Sequence, residues 1–181
     1  MDTIEGTKGT NEAVILSLLH NKSNLQLYFK LESKTIKEVT RVFDDIKKQL
    51  GNVLFSEIFG IILTDNGCEF KDPLSIEIER LTGEKLVSIY YCQARRSDQK
   101  GKCEKNHEHL REMVPKGISF NNYSVDDINH ISLMVNNYPR LMFNYKSPIE
   151  VADVMLNKKA FSLNNLTPIP TNQVVLKRYI K

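Results

Sequence analysis

The 181-residue sequence predicts an α/β fold in which a mixed β-sheet is flanked by α-helices, and three observations predict it. Two apolar segments near the start are joined by a short polar turn, as in a β-hairpin. A later stretch spaces its apolar residues by three and four, as an amphipathic helix does. An unbroken apolar run then stops at a polar Asp-Asn-Gly, the pattern of a strand that delivers a side chain to a site at its carboxyl end. The length suits one domain of roughly 100–200 residues. With 41% hydrophobic and 26% charged residues, a disordered or collagen-like chain is excluded.

The elements follow in order. Asp2-Thr3-Ile4-Glu5-Gly6 reads as a first, central strand. Ala13 to Leu19 and Leu25 to Leu31, separated by HNKSN, are the antiparallel pair. Thr35 to Leu50 places Ile36, Val39, Val42, Phe43, Ile46 and Leu50 on one helical face, with Gly51 as the stop. Phe59 to Thr64 has no polar alternation and is expected to be a central strand buried on both faces. Asp72 and Pro73 predict the start of a helix reaching Leu81, and Lys85 to Tyr90 returns to strand character. Cys92 to Lys102 is basic and poor in apolar anchors, as an exposed loop would be. Helices are predicted from Glu104 to Met113, ended by Pro115 and Gly117, from Ser124 to Asn136, and over Pro148 to Leu156. Residues 157–181, with Pro168 and Pro170, are expected to form a tail or arm beyond a core domain of 1–156.

No apolar run reaches the roughly 18 residues that a membrane helix needs, and MDTIEGTKGTNE is acidic and polar where a signal peptide is basic, then apolar. A cytoplasmic protein with no membrane partner is expected. Cys68, Cys92 and Cys103 lack CxxC spacing, so they read as free thiols, with neither a disulfide framework nor a zinc site indicated. A net charge of +3 is too small to decide for or against nucleic acid; local clusters matter more.

Asp65, in TDNG directly after the Phe59–Thr64 run, is placed to project a carboxylate beside a glycine turn. The same four residues also spell an ordinary Asx turn. Glu104 opens a helix, where an acid favours the positive end whatever else it does. Lys100, Lys102 and Lys105 around it read as a solvated face when taken alone. A terminal Asp2 is commonly just exposed, and His107 and His109, two apart, do not share a helix face and read as surface residues. The combination is what informs. Phosphodiester chemistry with divalent metal needs several carboxylates converging on two ions about 3.5–4 Å apart, and two strand ends and a helix can supply them as Asp2, Asp65 and Glu104. Arg95 and Arg96 would then hold the phosphate backbone. Tyr90 and Tyr91 are expected in the core rather than beside the sugars.

In order, the chain carries MDTIEG, the hairpin, TDNGCEF, a basic loop, KGKCEKNHEHLRE, PKGISF and NNYPRLMFNYKSPIEV. This series closely resembles the catalytic half of bacterial insertion-sequence transposases of the IS-thirty type. Their pattern runs D-x-I-x-G, S/T-D-N-G-x-E-F, R-G-x-x-E-N, F-P-K-G-x-x-F and N-x-R-P-R-x-x-L-x-Y-x-T-P. The resemblance spans Asp2 to about Leu156.

It implies a ribonuclease-H-like fold and a catalytic, metal-ligating triad of Asp2, Asp65 and Glu104. Two Mg²⁺ ions are implied, with Mn²⁺ as substitute. The implied reaction is hydrolytic nicking at transposon ends, then attack of the freed 3′-hydroxyl on target DNA. Asn66, Arg95, Arg96, Lys100, Lys102 and Lys105 are placed on DNA, and a homo-oligomer or a full-length transposase is the implied protein partner, on the bacterial nucleoid. The chain departs from the pattern at Lys100-Gly101 for Arg-Gly, at Cys103 for Asn, and in the turn Asn21-Lys22-Ser23-Asn24, which lacks the usual arginines. Family members also carry an upstream helix-turn-helix and a longer first strand. The chain is therefore expected to be a fragment that binds DNA without sequence choice. A catalytically inactive fragment acting as a DNA-binding or dimerising inhibitor of transposase, and a stand-alone nuclease of the same fold, are the alternative expectations.

Overall fold

A computed structural model describes residues 1–7, 12–93 and 101–181. Its strands are β1 (Asp2–Glu5), β2 (Val14–Leu19), β3 (Gln26–Leu31), β4 (Ile61–Thr64) and β5 (Ser88–Tyr91). The helices are α1 (Ile36–Leu50), α2 (Asn52–Phe59), α3 (Leu74–Glu77), α4 (Gly101–Met113), α5 (Val125–Asn137), α6 (Pro148–Asp153) and α7 (Lys159–Ser162). β1, β2 and β3 form an antiparallel sheet in that order, while β4 and β5 pair in parallel. The chain is thus α/β with both pairing senses present. The Met1 ammonium donates to the Leu63 carbonyl, which sets the start of β1 beside the end of β4.

The central strand is β2. Its run VILSLL is buried along nearly its whole length because both faces are covered. Val14, Leu16 and Leu18 pack into one cluster with Val39, Phe43 and Ile46 of α1 and Phe55 of α2. Ile15 packs into the other, with Leu110 and Met113 of α4, Phe120, and Ile128 and Ile131 of α5. Fully buried side chains of this size each contribute roughly 1.5–3 kcal/mol, so this two-sided packing dominates the stability of the fold.

The expectation that Phe59 to Thr64 is the strand buried on both faces is corrected. Phe59 ends α2, which the sequence reading did not separate from the strand, and β4 alternates, with Ile61 77% and Leu63 40% exposed. No described element covers the outward face of β4 and β5, so Tyr90 beside Leu63 is also exposed, while Tyr91, on the opposite face, is partly exposed at the strand end with its hydroxyl donating to the Phe70 carbonyl; neither tyrosine is in the core. The predicted helix to Leu81 is cut to Leu74–Glu77. Ile78 turns extended and bridges to Lys85, and the Glu77 carboxylate accepts from the Ile89 N–H at 2.6 Å, satisfying β5 at that point.

Local signals set the other boundaries. Thr35 caps α1 by accepting from the Glu38 N–H, and Gly51, at φ 76°, ends it. Ser124 with Asp127 and Ser147 with Glu150 form capping boxes at α5 and α6. Gly6 is required by close approach: a Cβ there would lie 2.2 Å from the Ile118 carbonyl oxygen.

Residues beyond Leu156 pack onto the rest. Tyr179 donates its N–H to Met113 and its hydroxyl to Asp127 at 2.6 Å, and Lys181 pairs with Asp127 at 2.9 Å. The hydrogen bonds from Tyr179 and Lys181 hold the Asp127 carboxyl well below the usual range. Because the folded value is depressed, this stabilisation is complete above the unfolded value of about 4 and is lost as pH falls below it. Asp127→Asn is expected to cost about 1–2 kcal/mol at neutral pH. It should also flatten the acid limb of a pH–stability curve followed by thermal melting.

Candidate active site

The site lies where the start of β1, the end of β4 and the first turns of α4 meet. Asp2 is the first residue of β1, opposite Ser17 of β2, and its Oδ1 accepts from the Thr3 N–H at 3.0 Å. Asp65 follows β4 and accepts from the Gly67 N–H at 3.0 Å. The Asx turn is therefore formed, and it fixes the carboxylate rather than competing with a role for it. Because Met1 donates to Leu63, Asp2 and Asp65 sit on neighbouring strand ends.

Glu69, buried to 2% exposure, ties these two ends together. Thr3 Oγ1 donates to its Oε1 at 2.6 Å, and Lys34 Nζ stands 3.6 Å from the same oxygen. A Cβ on Gly67 would meet Glu69 Oε2 at 2.6 Å and Asp65 Oδ1 at 3.0 Å, so only glycine leaves room for the two carboxylates to flank this turn. Burial alone would lower the Lys34 pKa. The hydrogen bond to Glu5 and the charges of Glu69 and Glu5 outweigh it, and the net shift is upward. Lys34 thus stays cationic beside Glu69. The sequence reading passed over Glu69; its signal was the glutamate of the D-N-G-x-E-F pattern.

Glu104 lies in the first turn of α4 and is exposed. Its neighbour Cys103 and, one turn on, His107 face inward against β1 and β2. His107 Nε2 is 3.4 Å from Cys103 Sγ and 3.2 Å from Ser17 Oγ, and Nδ1 is 3.9 Å from Asp2 Oδ2. The expectation of two surface histidines is corrected: the side chains of His107 and His109 are only 15% and 23% exposed. Burial, with the charges of Arg140 and Lys105, pushes the His109 pKa down to about 4, against a Glu112 carboxylate 3.7 Å away.

Among the described residues, the His, Cys, Asp and Glu ligand atoms that gather within 4.8 Å of one another are those of Asp2, Cys103 and His107. Asp65 and Glu104 do not join that group. Asp2 and Asp65 stand on neighbouring strand ends, and carboxylates are the hard oxygen donors that Mg²⁺ prefers. The donor set therefore fits such an ion in kind.

Of the predicted DNA contacts, Asn66 is exposed and donates to the Cys92 carbonyl at 3.4 Å. Lys102 is exposed on α4 and donates to the Asn21 carbonyl at 3.3 Å, and Lys105 is also exposed. Arg95, Arg96 and Lys100 lie outside the described residues. Cys68, Cys92 and Cys103 form no disulfide among the described residues, and the last two are buried. No helix among the described residues is long and apolar enough to cross a membrane.

No family model matches the chain, but individual relatives do. It is 33% identical over 151 residues to the protein named integrase ORF3 of Spiroplasma virus SpV1-R8A2 B, a match covering 83% of the chain and 44% of that protein. It is 26% identical over 152 residues to transposase InsI of insertion sequence element IS30C of Escherichia coli K12, covering 84% of the chain and 37% of the transposase. With the transposase of IS4351 of Bacteroides fragilis it shares 24% identity, over 88% of the chain and 45% of that protein. The chain thus spans less than half the length of these relatives. Its homologues are transposases of the IS30 family of insertion sequences and an integrase, matched over most of this chain and less than half of theirs.

Proposed function

We propose that the chain is the ribonuclease-H-like catalytic core of a DDE transposase, in which Asp2, Asp65 and Glu104 hold two Mg²⁺ ions and act on DNA. The observation that carries this reading is the convergence of β1, β4 and α4. Asp2 and Asp65 stand on neighbouring strand ends, and Cys103, which precedes Glu104, lies within 4.8 Å of Asp2 in ligand-atom separation. The similarity to transposases supports DNA as the substrate.

When bound, the ions supply charge neutralisation at the attacking and leaving oxygens of an in-line displacement. The chain's residues do the rest. Asp65 is held by its turn, and Glu69 ties that turn to β1 through Thr3. Glu104 sits in the first turn of α4 on an exposed face, and in this reading its carboxylate turns toward the strand ends. Lys102 and Lys105 on the same helix, with Asn66 in the turn, are positioned to meet phosphates. Contacts of this kind supply affinity and register without choosing a sequence.

The test is a gel assay of end-labelled duplex DNA with the chain and Mg²⁺ or Mn²⁺. Metal-dependent nicks and joined strands are expected, and the absence of any metal-dependent product contradicts the proposal. Glu69→Gln keeps an acceptor for Thr3 but removes the charge facing Lys34. It is expected to lower product formation by about 10–100-fold, as loss of a residue supporting metal ligands does, with little change in melting temperature.

A further inference from the structure

We propose that Asp2, Cys103 and His107 form a second cation site, selective for a borderline or soft divalent ion of the Zn²⁺ class. Occupancy of this site withdraws Asp2 from the Mg²⁺ centre. Cys103 and His107 are one helical turn apart on α4, the spacing that puts two side chains on one face. Their Sγ and Nε2 atoms are 3.4 Å apart. Two ligands of one tetrahedral Zn²⁺, with Zn–S about 2.3 Å and Zn–N about 2.0–2.1 Å, stand about 3.5 Å apart.

The third ligand comes from the other end of the chain. Asp2 lies across the strand pair from Ser17, the residue that His107 touches, and its carboxylate closes the set within 4.8 Å. His107 offers one ring nitrogen to an ion. Nε2 stands 3.4 Å from the thiol and Nδ1 3.9 Å from Asp2 Oδ2, so an ion held by Nε2 and the thiolate takes Asp2 as a ligand only once the Asp2 carboxylate turns from Nδ1 toward the thiol. Cys103 is 7% exposed, and the Asp2 and His107 side chains are 19% and 15% exposed. The cluster is therefore sheltered yet open enough for a water in the fourth position. A thiolate and an imidazole select Zn²⁺ or Co²⁺ over Mg²⁺. On binding, the Cys103 thiol releases its proton to solvent and its sulfur lone pair forms the bond to the metal.

Binding stands on this geometry alone. The inhibitory consequence rests on the proposed catalytic role of Asp2, because a carboxylate turned to Cys103 and His107 is withdrawn from the ions it would share with Asp65 and Glu104.

The experiment is a Co²⁺ titration of the whole chain followed by absorption, with Zn²⁺ competition. A thiolate-to-cobalt charge-transfer band is expected. Zn²⁺ should bleach it, and millimolar Mg²⁺ should leave it unchanged. Asp65→Asn should keep the band, Cys103→Ser should lose it, and His107→Gln should weaken Co²⁺ binding at least about ten-fold. A chain with no band, or a band that persists in Cys103→Ser, overturns the site, since Cys68 or Cys92 would then be the thiol. Zn²⁺ should also suppress metal-dependent DNA cleavage by the chain but not by Cys103→Ser. Equal suppression of both overturns the inhibitory role. Loss of cleavage in every sample with the band intact counts instead against the catalytic reading.

Discussion

Asp65→Asn is expected to abolish strand nicking and joining, a loss of about 10³-fold or more, while the protein melts within about 1 kcal/mol of the parent. The first figure follows from scale. Removing a group that merely supports a metal ligand costs about 10–100-fold, and removing a ligand carboxylate costs more, because part of the metal's charge stabilisation in the transition state goes with it. The second follows from what the residue touches. Asparagine keeps the carbonyl that accepts from the Gly67 N–H, so the turn persists. Glu104→Gln, on an exposed helical face, should behave alike. Gel assay of cleavage and joining, with melting curves on the same samples, separates loss of chemistry from loss of fold. An active Asp65→Asn protein sinks the assignment.

The largest expected effect on stability is elsewhere. β3 has β2 on one side only, and its other edge is closed by two asparagines. Asn136 Oδ1 accepts from the Gln26 N–H at 2.8 Å and Nδ2 donates to the Gln26 carbonyl at 2.7 Å. Two residues along, Asn164 repeats the pattern on Tyr28, at 2.8 Å in both directions. Each carboxamide stands in for one peptide of a missing neighbouring strand, and both side chains are essentially fully buried. Asn164→Leu keeps the branching at Cγ with somewhat more bulk but strands one buried N–H and one buried C=O of Tyr28. At about 1–3 kcal/mol for each group, the substitution is expected to cost about 2–6 kcal/mol in urea unfolding, and Asn136→Leu a similar amount. A change below about 1 kcal/mol would mean that water or a side-chain shift satisfies the strand instead.

These two cases mark what a one-dimensional reading reaches. The hairpin, α1 and α5 were legible because their cues are local: polar turn residues, three-and-four spacing, and caps at Thr35 and Ser124 within a few residues of what they cap. β4 was misread because the absence of polar residues was taken as burial on both faces. Ile61 and Leu63 are apolar yet uncovered, while NVLFSEIF just before them is a separate helix. Asn136 and Asn164 pair with residues 110 and 136 positions away, and no spacing rule connects them. The same limit hid the inward turn of His107 toward Asp2.

At the proposed site, the place of Asp65 at the end of a strand was legible from the apolar run before it, and its proposed role comes from the motif around it. Glu69 was visible only as a letter in that motif, because its function depends on Thr3 and Lys34 arriving from other elements. Cys103 was visible as a departure from the family pattern. Its meaning emerges only when α4 lays it against β1.

The most direct test of the central claim is calorimetric titration of Mn²⁺ into the purified chain and into Asp65→Asn, because it interrogates the carboxylate centre without any knowledge of the DNA ends. Saturable binding to the chain that is lost in Asp65→Asn is the predicted result. Binding of equal strength to both proteins, or to neither, would contradict an Asp2–Asp65–Glu104 metal centre.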